Sequence, residues 1–134
     1  MKKRDSKTVG KNVIQFEINA LKNLKKNITK SFQKIVDVIL SCKDGKIIVS
    51  GVGKSGIIGK KWAATLSSTG TPAFFLDASS ASHGDMGQIT SKDVVILISN
   101  SGESDELKNI IQYTSRNRNI KLIGITSVSY THLR

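Results

Sequence analysis

The feature that most constrains this sequence is a regular alternation of short apolar runs and helical patterns after Gly45. The runs are continuous and rich in Ile, Val and Phe, as in strands buried on both faces of a sheet, and they lie at 46–51, 72–76, 94–99 and 121–126. Between them lie helical patterns at 56–68 and 104–116 and a less regular segment at 78–88. Units of this length predict an α/β fold, a parallel doubly wound sheet in three layers with strand order 2-1-3-4-5.

A basic arm and a helical segment precede the alternation, over residues 1–44. From residue 12 to 41, apolar residues recur every three or four positions, which predicts one long amphipathic helix or two helices joined near Asn27. The stripe contains Ile14, Ile18, Leu21, Leu24, Ile28, Phe32, Ile35 and Ile39. Because it is longer than a small sheet can cover, we expect part of it to pack against another subunit. We assign 1–44 to this segment and 45–134 to the sheet domain.

The net charge of +11 is concentrated at the N-terminus, where residues 1–34 carry ten Lys and Arg against two acidic residues, a net charge of +8. A solvated helix face explains these lysines better than a nucleic-acid site, because aromatic residues for base stacking are few. No apolar run reaches the roughly 18–20 residues of a membrane helix, and no secretory signal follows the basic start. We therefore expect a cytoplasmic protein with no nucleic-acid or membrane partner. The single cysteine, Cys42, excludes an intramolecular disulfide.

The turn after the first predicted strand, in IIVSGVGKSGIIG, contains several glycines and a Lys-Ser pair. It is not a P-loop, because that spacing needs a glycine where the sequence has Ile48. The dinucleotide fingerprint G-x-G-x-x-G is matched by Gly51, Gly53 and Gly56. Asp77 ends the second strand, where such sites place a ribose-binding acid. Tight strand-to-helix turns use glycines for conformational reasons alone, so a dinucleotide site and a structural turn both stay open.

The turn after the third predicted strand, in SNSGESDEL, is rich in hydroxyl groups. It contains Gly102 and three serines, Ser99, Ser101 and Ser104. The backbone N–H groups and the dipole of a helix N-terminus favour an anion, and these hydroxyls add donors, so the turn suits a compact phosphate monoester. Strands 1 and 3 are neighbours in the predicted order, and both turns then open into one crevice. There Lys54 can approach the phosphate or a developing oxyanion.

Other polar residues near this crevice have two interpretations each. Asn100 with Glu103 resembles a helix-capping pair, which would make the serine-rich turn structural. Glu106 either stabilises the helix dipole or acts as a general acid or base beside a sugar phosphate. His83 lies in the loop after the second strand; a single loop histidine is more often structural and cannot form a metal site by itself.

Three segments together resemble the sugar isomerase (SIS) domain, and specifically that of the arabinose-5-phosphate isomerases: GVGKSGIIGKKWAATLSSTGTPAFFL, HGDMG and DVVILISNSGESDEL. The resemblance covers about residues 35–127. The Ser-x-Ser-Gly-x-Ser pattern is shared by phosphosugar SIS domains, whereas the other segments are more specific to the isomerases. The resemblance implies a flavodoxin-like three-layer αβα fold. It also implies interconversion of D-arabinose 5-phosphate and D-ribulose 5-phosphate through a cis-enediol, in synthesis of the lipopolysaccharide sugar Kdo.

The resemblance also implies roles for single residues. The matching phosphate-binding positions are Ser55, Ser99, Ser101 and Ser104. Of the matching active-site positions, Lys54 would stabilise the enediolate and Glu106 would transfer protons or orient a partner that does. His83 would contact the sugar. The family is tetrameric and needs no organic cofactor or metal, although zinc can occupy its site, with His83 as a candidate zinc contact.

The sequence departs from the family pattern in two respects. Ser80 stands where the family usually carries a glutamate, three residues before the histidine of HGD. The family continues into a fifth strand, helices with another active-site glutamate and histidine, and commonly a pair of CBS domains, whereas residues 128–134 do not resemble that continuation. We therefore expect a partial SIS domain, incomplete after the fourth strand, with little isomerase activity of its own. Two alternatives stay open: a non-catalytic module that senses a phosphosugar, and an NAD(P)-binding domain.

Overall fold

The computed structural model describes residues 5–127, and the chain divides into two compact units between Val36 and Asp37. The first unit contains α1 (Ser6–Lys26) and most of α2 (Lys30–Leu40). α1 ends at Asn27, whose backbone N–H donates to carbonyl groups of the last helical turn. Of the two alternatives predicted for this segment, the pair of helices joined near Asn27 is therefore confirmed.

α1 is amphipathic and has no buried residue. Its apolar side chains are open to solvent; the exposed fraction is 73% for Phe16 and 63% for Leu21. Asp5 is the N-cap residue of α1, and its carboxylate accepts hydrogen bonds from the backbone N–H groups of Lys7 and Thr8. The last turn contains two lysines, which interact favourably with the helix dipole. No helix within residues 5–127 combines the length and the apolar content needed to cross a membrane.

The second unit is built around a parallel sheet of four strands: β1 (Ile47–Gly51), β2 (Ala73–Phe75), β3 (Val94–Ile98) and β4 (Lys121–Ile125). The strand order within the described residues is β2-β1-β3-β4, and every pair is parallel. Each predicted strand agrees with the structure to within one residue at either end. The α/β class and the predicted order of the first four strands are confirmed.

Helices cover both faces of the sheet. Strand side chains alternate between faces, so Val49 lies against Gly59 of α3 (Gly53–Ser68) on one face. On the other face, Ile48 belongs to a core cluster with residues of α4 (Ala78–Ala81) and α5 (Asp105–Arg116). A short 3₁₀ turn, Asp85–Gln88, follows α4. The predicted three-layer arrangement is confirmed.

The expectation that every strand is buried on both faces is wrong for β4. Only Ile123 of this strand is buried, while Leu122 and Ile125 are 42% and 39% exposed. The physical reason is position: within the described residues β4 pairs with β3 alone and forms the end of the sheet. The incomplete sheet stays a prediction, because residues 128–134 lie outside the described part of the chain.

A buried ion pair joins the amino ends of β1 and β3. Asp93 is fully buried, and its carboxylate accepts hydrogen bonds from the Lys46 ammonium group at 2.9 Å, the Lys46 backbone N–H at 3.0 Å and the Thr90 backbone N–H at 2.7 Å. Burial alone would raise the pKa of Asp93, but these hydrogen bonds outweigh it and hold the pKa below its usual value. Asp93 therefore fixes the register of two central strands at the edge opposite the predicted site.

Candidate functional site

The two predicted turns leave from neighbouring strand ends. The register of β1 and β3 pairs Gly51 with Ile98, so the β1–α3 turn and the β3–α5 turn start side by side at the carboxyl edge of the sheet. This edge, at the point where the strand order reverses, is where ligands bind in open α/β sheets. The structure thus brings the glycine-rich turn and the serine-rich turn to one edge, as the sequence predicted.

Close backbone approach explains the glycines of the β1–α3 turn. A Cβ atom on Gly51 would lie 2.9 Å from the Ile98 carbonyl oxygen, and one on Gly56 would lie 2.6 Å from the Gly51 carbonyl oxygen. Gly53 has φ of 58°, in the left-handed region that favours glycine. These contacts let α3 begin at Gly53, three residues earlier than predicted, since glycine-rich sequence does not resemble a helix start. The Lys-Ser pair therefore lies in the first turn of α3.

The first turn of α3 has features that favour an anion. Its N-cap residue, Val52, provides no side-chain hydrogen bond to the helix N–H groups, and the turn contains no acidic residue. Lys54 is exposed and Ser55 is half-buried. Free N–H groups, the positive end of the helix dipole, one ammonium group and one hydroxyl group are thus close together in sequence and structure.

The serine-rich turn is organised by hydrogen bonds among its own members. Ser99 is 8% exposed, its Oγ lies 3.0 Å from Oγ of Ser104, and it accepts a hydrogen bond of 3.0 Å from the Gly102 backbone N–H. Ser101 is exposed and accepts a 3.3 Å hydrogen bond from the Glu103 N–H. Gly102 has φ of 74°, which permits the tight turn. The three serine hydroxyls are therefore held at the start of α5.

The alternative interpretation of this turn, in which Asn100 and Glu103 form a capping pair, does not describe the α5 start. The N-cap residue is Ser104, and its side chain makes no capping hydrogen bond, because its hydroxyl group pairs with Ser99. The N–H groups of the first turn of α5 thus have no hydrogen bond from their N-cap side chain. Glu106 lies in that first turn and is exposed, at the border of the serine-rich turn.

His83 is exposed in the turn that follows α4. The next residue, Gly84, has φ of 118°, so the chain reverses sharply there. A side-chain hydrogen bond of 2.8 Å links this turn to α5, from Nδ2 of Asn109 to Oγ of Ser82. Sequence reasoning missed both residues, because neither belongs to a motif. The only available signal was the spacing of three between Glu106 and Asn109, which places them on one helix face.

Asp77 has a structural task in this fold. It is the N-cap of α4, and its Oδ1 accepts hydrogen bonds from the backbone N–H groups of Ser79 and Ser80. The hydrogen bonds from Ser80 and Ser79 hold the pKa of Asp77 below its usual value. Asp77 also lines a small pocket of about 130 Å³ beside the glycine-rich turn. Because its carboxylate already accepts hydrogen bonds from backbone N–H groups, Asp77 gives the dinucleotide interpretation little support.

Metal-binding residues do not cluster in the described part of the chain. Among residues 5–127, no group of three or more His, Cys, Asp or Glu side chains is arranged to hold a metal ion. Burial, followed by the charge of Asp93, raises the pKa of the Cys42 thiol, so Cys42 is a poor thiolate ligand. The zinc contact suggested for His83 stays a prediction.

Comparison with known proteins gives a consistent result. The SIS domain family matches residues 39–133. The chain is 47% identical to the arabinose 5-phosphate isomerase KdsD of Yersinia pestis, over 92% of this chain and 37% of that protein. It is 48% identical to an uncharacterized Rickettsia prowazekii protein, RP505, over 88% of this chain and 36% of that protein. The chain thus spans a little more than a third of the length of these curated relatives.

A solved structure agrees over the described fold. The protein c3406 of Escherichia coli CFT073, in complex with arabinose 5-phosphate, superposes with a TM-score of 0.87 at 38% sequence identity and covers 99% of this chain and 70% of that chain. Because nearly all of this chain is covered, the superposition includes the parallel sheet and both turns at its carboxyl edge. From the family match, the sequence identity and the fold together, this chain belongs to the SIS domain family.

Proposed function

We propose that this chain is the phosphosugar-binding part of an arabinose-5-phosphate isomerase. The observation that carries the proposal is the position of two helix starts without side-chain caps, those of α3 and α5, at adjacent strand ends. Relatives named as arabinose 5-phosphate isomerases, and the arabinose 5-phosphate complex of a 38% identical protein, support this choice of sugar. Synthesis of the lipopolysaccharide sugar Kdo is the corresponding pathway role in this proposal.

The phosphate group of the substrate binds at the start of α5. Ser101 and Ser104 donate hydroxyl hydrogen bonds to it, and the first-turn N–H groups of α5 add donors along the helix dipole. Ser99 is nearly buried, and its hydroxyl group holds Ser104 in place. Ser55 approaches from the neighbouring turn. A dianionic phosphate then has donors from both turns; the first turn of α3 contains no acidic side chain, whereas the first turn of α5 contains Asp105 and Glu106.

The proposed reaction moves one proton between neighbouring carbons. A base removes the proton from C2 of the aldose, the aldehyde oxygen gains a proton, and a cis-enediol results. Return of a proton to C1, with loss of the proton on the C2 oxygen, gives the ketose. Glu106 transfers protons, Lys54 stabilises negative charge on the enediolate oxygens, and His83 contacts the sugar. All three side chains are exposed.

Assembly and location complete the proposal. The exposed apolar side chains of α1 support association with further copies of the chain, as in the tetramers expected from the family resemblance. We also propose that the reaction takes place in the cytoplasm, and that the 134-residue chain binds substrate with little turnover. The resemblance assigns a further glutamate and histidine of the active site to sequence beyond this stretch.

Calorimetric titration of the chain with arabinose 5-phosphate tests the binding site. We expect Ser104→Ala to weaken binding about ten- to 150-fold, because one hydrogen bond to a charged group contributes about 1.5–3 kcal/mol. Ser115→Ala is the matched control, since Ser115 lies on the same helix and its hydroxyl group donates to the Gln112 carbonyl group instead. Equal loss in both variants would contradict a specific role for Ser104.

The same titration separates the alternatives. Binding of arabinose 5-phosphate and ribulose 5-phosphate without response to NAD supports the isomerase family function, and stabilisation by NAD alone supports the dinucleotide interpretation. Rapid conversion of arabinose 5-phosphate by the 134-residue chain would contradict the expected low turnover. A phosphosugar-sensing module would bind the sugar and stay inactive even when the chain is joined to the rest of a full-length relative.

A further inference from the structure

The loop that carries His83 is tied to α5 by one side-chain hydrogen bond. Nδ2 of Asn109 donates to Oγ of Ser82 over 2.8 Å, between residues 27 positions apart in the chain. Ser82 is the C-cap of α4 and directly precedes His83. The hydrogen bond is therefore one residue away from the predicted sugar-contacting side chain.

The other partner, Asn109, belongs to the helix that carries Glu106. Residues three apart lie on the same face of a helix, so Glu106 lies on the same side of α5 as Asn109. The serine-rich turn forms the start of the same helix. A rigid helix thus connects the phosphate-binding turn, the proposed proton-transfer residue and the donor that holds the His83 loop.

Other contacts also hold this segment, including the backbone hydrogen bond from the His83 N–H to the Ser80 carbonyl group and the packing of Met86 against the core. Asp77 caps α4, Ala78 and Ala81 are buried in the core, and Ile89 is buried after the 3₁₀ turn. Between Ala81 and Ile89 the chain includes the sharp reversal at Gly84. Because the hydrogen bond from Asn109 to Ser82 joins this part of the chain directly to α5, it helps to set where His83 lies relative to that helix.

We propose that Ser82 and Asn109 are positioning residues that fix the His83 loop for the sugar part of the ligand. The inference rests on the proposed phosphosugar function. It assigns no contact with substrate to either residue. The phosphate part of the ligand binds at the serine-rich turn, which this hydrogen bond does not touch, so loss of the hydrogen bond should affect recognition of the sugar and leave recognition of phosphate unchanged.

Amide hydrogen exchange in the ¹⁵N-labelled full chain tests the first half of the proposal. The N–H groups of His83 and Gly84 donate to the carbonyl groups of Ser80 and Ala81, so their exchange reports opening of the loop. Ser82→Ala and Asn109→Ala should each speed this exchange about fivefold, as loss of about 1 kcal/mol implies. The double variant should add little to either.

Two further variants serve as controls. Ser82→Thr keeps the hydroxyl group and should keep slow exchange. Gln112→Ala removes an exposed side chain from the same stretch of α5 and should leave the exchange of His83 unchanged. Unchanged exchange in both Ser82→Ala and Asn109→Ala would overturn the proposed role of the hydrogen bond.

Titration with two ligands tests the second half. Arabinose 5-phosphate should bind several-fold more weakly to Ser82→Ala and Asn109→Ala, while inorganic phosphate binds as it does to the unmodified chain. Two results would overturn the positioning role: an equal loss of affinity for both ligands, or an unchanged affinity for arabinose 5-phosphate despite faster amide exchange. If the unmodified chain binds neither ligand, the proposed function is wrong and the positioning role falls with it. The exchange result then still shows whether the hydrogen bond holds the loop.

Discussion

The two ends of β3 use hydrogen bonds for different purposes. At the amino end, Asp93 is fully buried and accepts three hydrogen bonds, two from Lys46 at the start of β1 and one from Thr90 in its own loop. At the carboxyl end, the hydroxyl groups of Ser99 and Ser104 pair with each other, and the α5 helix start lacks a side-chain cap. The polar groups at the amino end thus hold the fold together, and those at the carboxyl end include donors near the surface, where we propose that an anion binds.

Removal of the buried carboxylate is expected to have the largest effect on stability. Asp93→Ala leaves the backbone N–H groups of Thr90 and Lys46 without their acceptor. We expect the free energy of unfolding to fall by about 3 kcal/mol and the melting temperature to fall by about 10 °C. Urea and thermal unfolding of the chain measure both quantities.

A second ion pair gives the matched control for this variant. Asp105 and Lys108 are neighbours on α5 and are largely exposed, so their pair contributes little to stability. Asp105→Ala should change the unfolding free energy by less than about 0.5 kcal/mol. Comparable losses for Asp105→Ala and Asp93→Ala would contradict the contrast between the two ends of β3.

Glycine replacements at the carboxyl edge are expected to have an intermediate effect. Gly56→Ala places a Cβ atom 2.6 Å from the Gly51 carbonyl oxygen and should cost about 2 kcal/mol. Gly53→Ala meets no atom within 4 Å, and its cost of about 1 kcal/mol arises from the φ of 58° alone. Chemical denaturation of the two variants should rank them in this order, and the reverse order would show that the close approach is easily relaxed.

The pH dependence of the unfolding free energy is expected to be the smallest of these effects. The pKa of Asp93 is lower in the folded protein than its usual value of 3.8, because its hydrogen bonds outweigh burial. Such a group adds stability above its unfolded pKa and loses it as the pH falls through the folded pKa. The unfolding free energy of the natural chain should therefore decline below about pH 4, more steeply than that of Asp93→Asn. Parallel acid declines in the two proteins would show that Asp93 does not contribute.

Much of the sheet was predictable because its central strands are continuous apolar runs. The two central strands, Ile47–Gly51 and Val94–Ile98, are buried on both faces. Strands buried in this way consist of continuous apolar residues, which can be recognised in the sequence. β4 was predicted at the right place, but the prediction that it is buried on both faces was wrong. The composition of a strand does not show whether a neighbouring strand lies on each side of it. The start of α3 was also missed, since packing contacts made by Gly51 and Gly56 decide it.

The candidate site was predictable only where its residues lie in contiguous motifs. The serine-rich turn and the Lys54-Ser55 pair follow strands directly, so topology alone brings them to one edge. The hydrogen bond from Asn109 to Ser82 connects residues far apart in sequence and leaves no local pattern. Asp93 was missed for the same reason, because a single aspartate before a strand resembles an ordinary turn residue.

The amphipathic surface of α1 has a consequence for how the protein responds to salt. Exposed apolar side chains such as Phe16 and Leu21 favour contact between copies, whereas the lysines of the same helix repel each other. Dissolved ions screen the repulsion over about 8–10 Å at moderate ionic strength and leave the apolar attraction intact. Self-association through α1 should therefore strengthen as salt is added, the opposite of an assembly held together by ion pairs.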